Sequence, residues 1–164
     1  MNCPSCGHDN LPGAEDCVDC QEPLSQLDRP QAVRGMQKKI LEGTVGQLKP
    51  KEALFVQAED KVADALALMR KDKVGCVLVL DGKKLKGLLS EREILLNAAG
   101  KAGAEQLAVS AVMQPDPEVL KEKDPINVAF HRMAVGGYRH LPVARENGGF
   151  RILSARDFLR FLCE

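Results

Sequence analysis

The feature that most constrains the fold is an internal duplication. Shifted by 64 residues without a gap, the chain places Val45 on Val109, Asp60 on Asp124, Ala65 on Ala129, Val79 on Val143 and Ser90 on Ser154. Repetition at a fixed offset means one supersecondary unit used twice. The repeated region covers residues 44–164, with copies at 44–100 and 101–164.

Each copy carries the same signals in the same order. A short extended segment comes first, Leu54-Phe55-Val56 or Val119-Leu120. Asp60 and Asp124 then read as helix N-caps, with Pro125 at the first helical position. The predicted apolar stripes are Val62, Ala65, Leu66 and Met69 in one helix and Ile126, Ala129, Phe130 and Met133 in the other. Strands are predicted at residues 74–80 and 138–144. Asp81-Gly82 is a tight hairpin signal, and residues 146–149 form a looser one. The next strand ends at Leu89 or Leu153, and a last helix opens on a serine.

That strand-to-helix junction is the candidate site. In the first copy it reads Gly87-Leu-Leu-Ser90-Glu-Arg92-Glu93, and in the second Arg151-Ile-Leu-Ser154-Ala-Arg156-Asp157. Ser-x-x-Glu or Ser-x-x-Asp before an apolar run is also a helix capping box, worth about 1 kcal/mol. Capping alone accounts well for Ser90 and Glu93. Around Ser154 and Asp157 the same copy adds Arg139 and His140, where the first copy has Gly75 and Cys76.

These junctions, the run Val112-Met113-Gln114-Pro115-Asp116-Pro117 and the stretch Tyr138-Arg139-His140-Leu141-Pro142-Val143 resemble a tandem pair of CBS domains, a Bateman module. The resemblance implies a mixed α/β (α+β) fold: two β-α-β-β-α repeats related by a pseudo-two-fold axis. It also implies an adenine-nucleotide ligand (AMP, ADP or ATP), a regulatory role and a homodimer. In such a site the acid accepts the ribose hydroxyls, the serine at a helix N-terminus suits a phosphate, and arginine adds charge. Carried over to this chain, the nucleotide-binding residues are Ser154, Asp157, Arg156, Arg139, His140 and Leu120. A second site would use Gly87, Ser90, Arg92, Glu93 and Val56. Each copy departs once from the family pattern, with Glu93 for aspartate and Arg151 for glycine. Arg151 either crowds the ligand or contacts its phosphate. Decayed sites in a structural or protein-interaction module are the competing reading.

Residues 1–24 carry a separate signal. Cys3-x-x-Cys6 and Cys17-x-x-Cys20 converge four thiolates on one tetrahedral point, which suits a structural zinc ion. Gly7 and Pro12-Gly13 supply the turns. So short a segment cannot bury a core, so the metal would supply its folding energy. This stretch resembles a zinc ribbon. Residues 1–28 hold six acids and no lysine or arginine, although the whole chain has zero net charge. Phosphate binding needs cations, so nucleic acid is not an expected partner, and a protein contact through the acidic ribbon is.

Residues 25–43 read as a linker with a short helix over 31–42, apolar at Val33, Met36 and Ile40 and stopped by Gly43. No apolar run approaches the ~18 residues that span a bilayer, and no secretory signal opens the chain. The cysteine usage suits a cytoplasmic protein. The three histidines (His8, His131, His140) have no nucleophile or metal partner by motif, so the expectation is a binding protein rather than an enzyme.

Overall fold

The computed structural model describes residues 2–3, 5–24 and 36–163, with the side chains of Met36 and Gln37 excepted. The predicted linker at 25–30 and Val33 lie outside these residues. The chain divides into two compact units, Met1–Lys38 and Lys39–Glu164.

The first unit is built from two similar knuckles. The Cys3 amide donates to the His8 carbonyl at 2.8 Å, and the Cys17 amide to that of Glu22 at 2.9 Å. Gly7 and Gln21 stand at matching positions with φ of 78° and 59°. The second knuckle therefore holds a non-glycine residue in the left-handed region, at a steric cost the first avoids. Cys3, Cys17 and Leu24 are buried together, a very small apolar centre.

From Met36 onward the elements are α1 (Met36–Glu42), β1 (Lys51–Glu52), β2 (Phe55–Gln57), α2 (Val62–Asp72), β3 (Cys76–Asp81), β4 (Lys84–Ser90), α3 (Glu91–Asn97), β5 (Gln114–Pro115), β6 (Leu120–Lys121), α4 (Ile126–Gly136), β7 (His140–Ala144), β8 (Phe150–Ser154) and α5 (Ala155–Cys163). They form two four-stranded sheets, ordered β2-β3-β4-β5 and β1-β8-β7-β6. In each, a parallel pair (β2 with β3, β6 with β7) is followed by an antiparallel hairpin. This is the predicted β-α-β-β-α unit, twice.

The edge strands β1 and β5 are exchanged, which the sequence signals did not disclose. β1 belongs to the first repeat but pairs with β8 of the second, and β5 belongs to the second repeat but pairs with β4 of the first. The turns before them are exchanged too. The Val45 amide donates to the Asp124 carbonyl, and the Val109 amide to that of Asp60. Consequently Val45 and Leu48 are buried in the core of the second repeat, and Val109 and Val112 in that of the first. A third cluster, including Cys76, Leu78, Leu88 and Ile152, joins the two sheets. Each repeat is thus finished by residues of the other, and neither core is complete alone.

Three expectations are corrected. Asp60 and Asp124 do not cap their helices. Their carboxylates accept the amides of Gln57 (2.7 Å) and Lys121 (2.8 Å) three residues back, closing a turn, while Lys61 and Pro125 take the N-cap positions. Phe130 is 55% exposed rather than core, because Ile126 and Ala129 already fill the inner face of α4. The tight hairpin turns on Gly82 and Lys83, between paired Asp81 and Lys84, so it starts one residue later than predicted. The helix stop at Gly43 holds for a steric reason: a Cβ there would collide with the Lys39 carbonyl and the Ile126 side chain.

Candidate functional site

β8 ends at Ser154 and α5 begins at Ala155, so the second serine sits where a strand hands over to a helix. The Asp157 carboxylate folds back over this junction. Its Oδ2 accepts the Ser154 amide at 2.8 Å and the Ser154 hydroxyl at 2.6 Å. Asp157 is only 1% exposed. Its other oxygen, Oδ1, is buried without a hydrogen-bond partner among the described residues. The Arg160 guanidinium lies 3.5 Å from it, an ion-pair distance rather than a hydrogen bond. A buried carboxylate oxygen left in this state costs free energy unless something else satisfies it.

Asp157 borders a cavity of about 600 Å³ between the two repeats. Ser154, Arg156, Arg139 and His140 line it as well, so five of the six residues carried over to the second-copy site come together. Leu120 does not join them, being fully buried in the core of the second repeat. The apolar wall is built instead from Leu54, Leu66, Met69 and Val74 of the first repeat and Ile152 from β8. Because the expectation treated each copy as self-contained, it could not supply a wall from the other repeat.

His140 faces Gly75, the first-copy counterpart of its neighbour Arg139. A Cβ at Gly75 would lie 3.4 Å from the imidazole Cε1 and Nε2 atoms, so the ring packs directly against this residue. Burial pushes the imidazole below its usual range, against the opposing pull of Glu91 and Glu93. Cys76 lies at the same cavity, buried, with its thiol pushed up to about 12 by burial and then by Glu93 and Glu91. It packs in the cluster that joins the two sheets.

Arg151 does not crowd this space. It leaves β8 on the face opposite Ile152 and Ser154, where its guanidinium bonds Glu52 at 3.0 Å and Glu122 at 3.1 Å. Arg145 reaches the same Glu52 at 3.2 Å. The exchanged strand in front of it is also shifted. β8 pairs Ile152 with Lys51, whereas β4 pairs the equivalent Leu88 with Gln114, the counterpart of Pro50. That one-residue slip sets Lys51 opposite Ile152 at the cavity wall.

The first junction is arranged differently. The Ser90 amide donates to Glu93 Oε2 at 3.2 Å, the Ser90 hydroxyl also bonds this oxygen, and the hydroxyl oxygen accepts the Arg92 amide at 3.2 Å. This is a complete capping box. Arg92 extends to the second repeat and donates to the Gly137 carbonyl at 2.9 Å. A Cβ at Gly87 would collide with Met113 Sδ and the Gln114 carbonyl. Val56 lies in the core of the first repeat.

In the N-terminal unit the Sγ atoms of Cys3, Cys6, Cys17 and Cys20 all lie within 4.8 Å of one another, an arrangement that can hold a metal ion. The Cys3–Cys20 and Cys6–Cys17 separations are both 3.6 Å. Backbone amides of Cys20 and Asp19 and the Asn10 side chain favour the thiolate of Cys17, whose pKa falls to about 6. His8 contributes its carbonyl to the first knuckle and is not part of the sulfur cluster.

Comparison with known proteins agrees with this architecture. Among curated proteins, an uncharacterized 17.7 kDa protein of Acidianus ambivalens is 28% identical over 73% of this chain and 73% of its own length. The Arabidopsis thaliana CBS domain-containing protein CBSCBSPB3 is 32% identical over 57% of this chain, which matches only 17% of that larger protein. Among solved structures, a CBS-domain containing protein of Agrobacterium tumefaciens superposes with a TM-score of 0.66 at 24% identity, over 72% of this chain and 98% of its own. The structure of CBSX2 in complex with AMP superposes with a TM-score of 0.59 at 25% identity, over 73% of this chain and 96% of that one. No helix among the described residues is long and apolar enough to cross a membrane. The sequence model of the CBS domain matches twice, at residues 45–100 and 109–164. The chain therefore belongs to the CBS domain family, with two CBS domains in tandem.

Proposed function

We propose that the CBS pair is a regulatory module that binds an adenine nucleotide in the cavity at Asp157. The observation that carries this reading is the buried Asp157 Oδ1, which borders the cavity without a hydrogen bond. A ribose hydroxyl is a donor of the right kind for it. Ser154, at the start of α5, and Arg156 suit a phosphate. Leu54, Leu66 and Ile152 provide apolar surface for a base. The AMP held by the related CBSX2 supports the ligand class. Binding would alter contacts with a partner rather than lead to chemistry. Calorimetry with AMP, ADP and ATP tests it. The expected result is binding by the intact chain and its loss in Asp157→Asn; no heat with any of the three nucleotides would overturn it.

The four cysteines are proposed to hold structural zinc. Tetrahedral zinc with bonds of about 2.3 Å sets its sulfurs about 3.8 Å apart, close to the two 3.6 Å separations. Four thiolates leave no open coordination position. Metal analysis of purified protein should find one zinc per chain, and its absence would count against the assignment. Association into a homodimer is proposed through the exposed apolar residues Leu95 and Leu96 on α3 and Leu159 on α5, each more than 60% exposed. The acidic, cation-poor ribbon is proposed as a surface for a protein partner.

A further inference from the structure

We infer that the Asp157 cavity is built for a polyphosphate chain, so that its ligand carries a triphosphate rather than a monophosphate. The inference rests on the nucleotide reading above and specifies its ligand. Among the described residues the cavity is bordered by six cations and three carboxylates. Two of the carboxylates are already engaged. Glu52 is bonded by Arg145 and Arg151 from outside the cavity, and Asp157 is paired with Arg160. The side chains of the other five cations, Lys51, Arg70, Lys73, Arg139 and Arg156, have no hydrogen bond or ion pair among the described residues. Glu91 alone stands against them.

The placement of these cations matters as much as their number. Asp157 is buried at the wall, Ser154 and His140 are half-buried, and all five cations are exposed. They come from three directions: Arg70 and Lys73 from the end of α2 in the first repeat, Lys51 from β1, and Arg139 and Arg156 from the start of β7 and of α5. Five like charges around one opening repel each other, and a bound anion relieves that repulsion. One phosphate beside Ser154 would engage Arg156 and Arg139 and leave the α2 pair unanswered. A chain of three phosphates offers enough charge and reach to engage both groups. It would also tie the two repeats together through charge-assisted bonds.

The test is calorimetry on the full chain with AMP, ATP and inorganic triphosphate, repeated with the variant Arg70→Ala/Lys73→Ala. Both substituted residues are exposed and outside the cores, so the variant is expected to fold. ATP should bind about tenfold or more tighter than AMP, and its affinity should fall more steeply with salt. The variant should bring ATP down to within about twofold of AMP while leaving AMP binding unchanged. Equal affinity of AMP and ATP, or equal losses of both in the variant, would overturn the inference and leave the nucleotide reading standing. If neither nucleotide binds, the nucleotide reading fails. Inorganic triphosphate then decides the inference alone: binding that is lost in the variant upholds the polyphosphate site, and no binding overturns it.

Discussion

The two serine junctions are copies of one segment whose polar groups are satisfied differently. At Ser90 the serine amide and hydroxyl and the Arg92 amide are all bonded within the capping box, and no buried polar side-chain atom there lacks a partner among the described residues. Glu93 is long enough to reach the serine hydroxyl and amide together, and Arg92 is spent on the Gly137 carbonyl. At Ser154 the shorter Asp157 makes the same two bonds with one oxygen and leaves the other buried without a hydrogen bond among the described residues, 3.5 Å from the Arg160 guanidinium. The basic neighbours repeat the contrast, since Gly75 and Cys76 stand where the second copy has Arg139 and His140. A capping box and the proposed binding site therefore share one sequence pattern. What separates them is whether an acceptor is left over and whether a cavity adjoins it.

The largest expected effect that tests this contrast is at Asp157. Asp157→Asn keeps an acceptor for the Ser154 amide but loses the charge, and nucleotide affinity should fall about tenfold to a hundredfold by calorimetry. Asp157→Ala should in addition lower stability by about 1 kcal/mol in denaturant melts, because the cap goes with it. Next is Glu93→Ala, which should cost a similar ~1 kcal/mol of stability and leave nucleotide affinity within about twofold of the parent. A large loss of binding there would erase the distinction between the copies.

A third effect depends on pH. Burial lowers the His140 pKa in the folded chain, so below 6.5 the unfolded chain takes up a proton that the folded one resists. The stability that comes from keeping this ring neutral is full above that pH and is lost as pH falls toward the folded value. Thermal melts of the parent and of His140→Gln between about pH 5 and pH 8 should diverge on the acid side, with the parent more sensitive. The smallest effect belongs to Arg151→Gly, which restores the family glycine. It breaks partly exposed ion pairs with Glu52 and Glu122, so stability should change by no more than about 1 kcal/mol. Nucleotide affinity should hold, since Arg151 points away from the cavity. A clear gain in affinity would show that Arg151 obstructs the site.

Much of this was legible in the sequence because it is local. Alternating and helical periodicities placed both repeats, the gapless offset tied them together, and the cysteine spacing anticipated the sulfur cluster. Arg139, His140, Arg156 and Asp157, which the sequence grouped around Ser154, line one cavity. What escaped was non-local. The exchange of β1 and β5 leaves no mark on periodicity, since these strands are two residues long. The apolar wall was misplaced for the same reason: Leu120 and Val56 point into the cores of their own repeats, and Leu54 and Leu66 reach the cavity from the other one. Asp60 and Asp124 were misread because an aspartate before a helix can bond backward into a turn as readily as forward into the helix. The role of Arg151 turned on a one-residue register difference that the repeat alignment hides.

The most direct test is the stoichiometry of nucleotide binding in the parent chain, Asp157→Asn and Glu93→Gln. The account predicts one nucleotide per chain, lost in Asp157→Asn and kept in Glu93→Gln. Two nucleotides per chain, or binding that survives Asp157→Asn and disappears in Glu93→Gln, would contradict it.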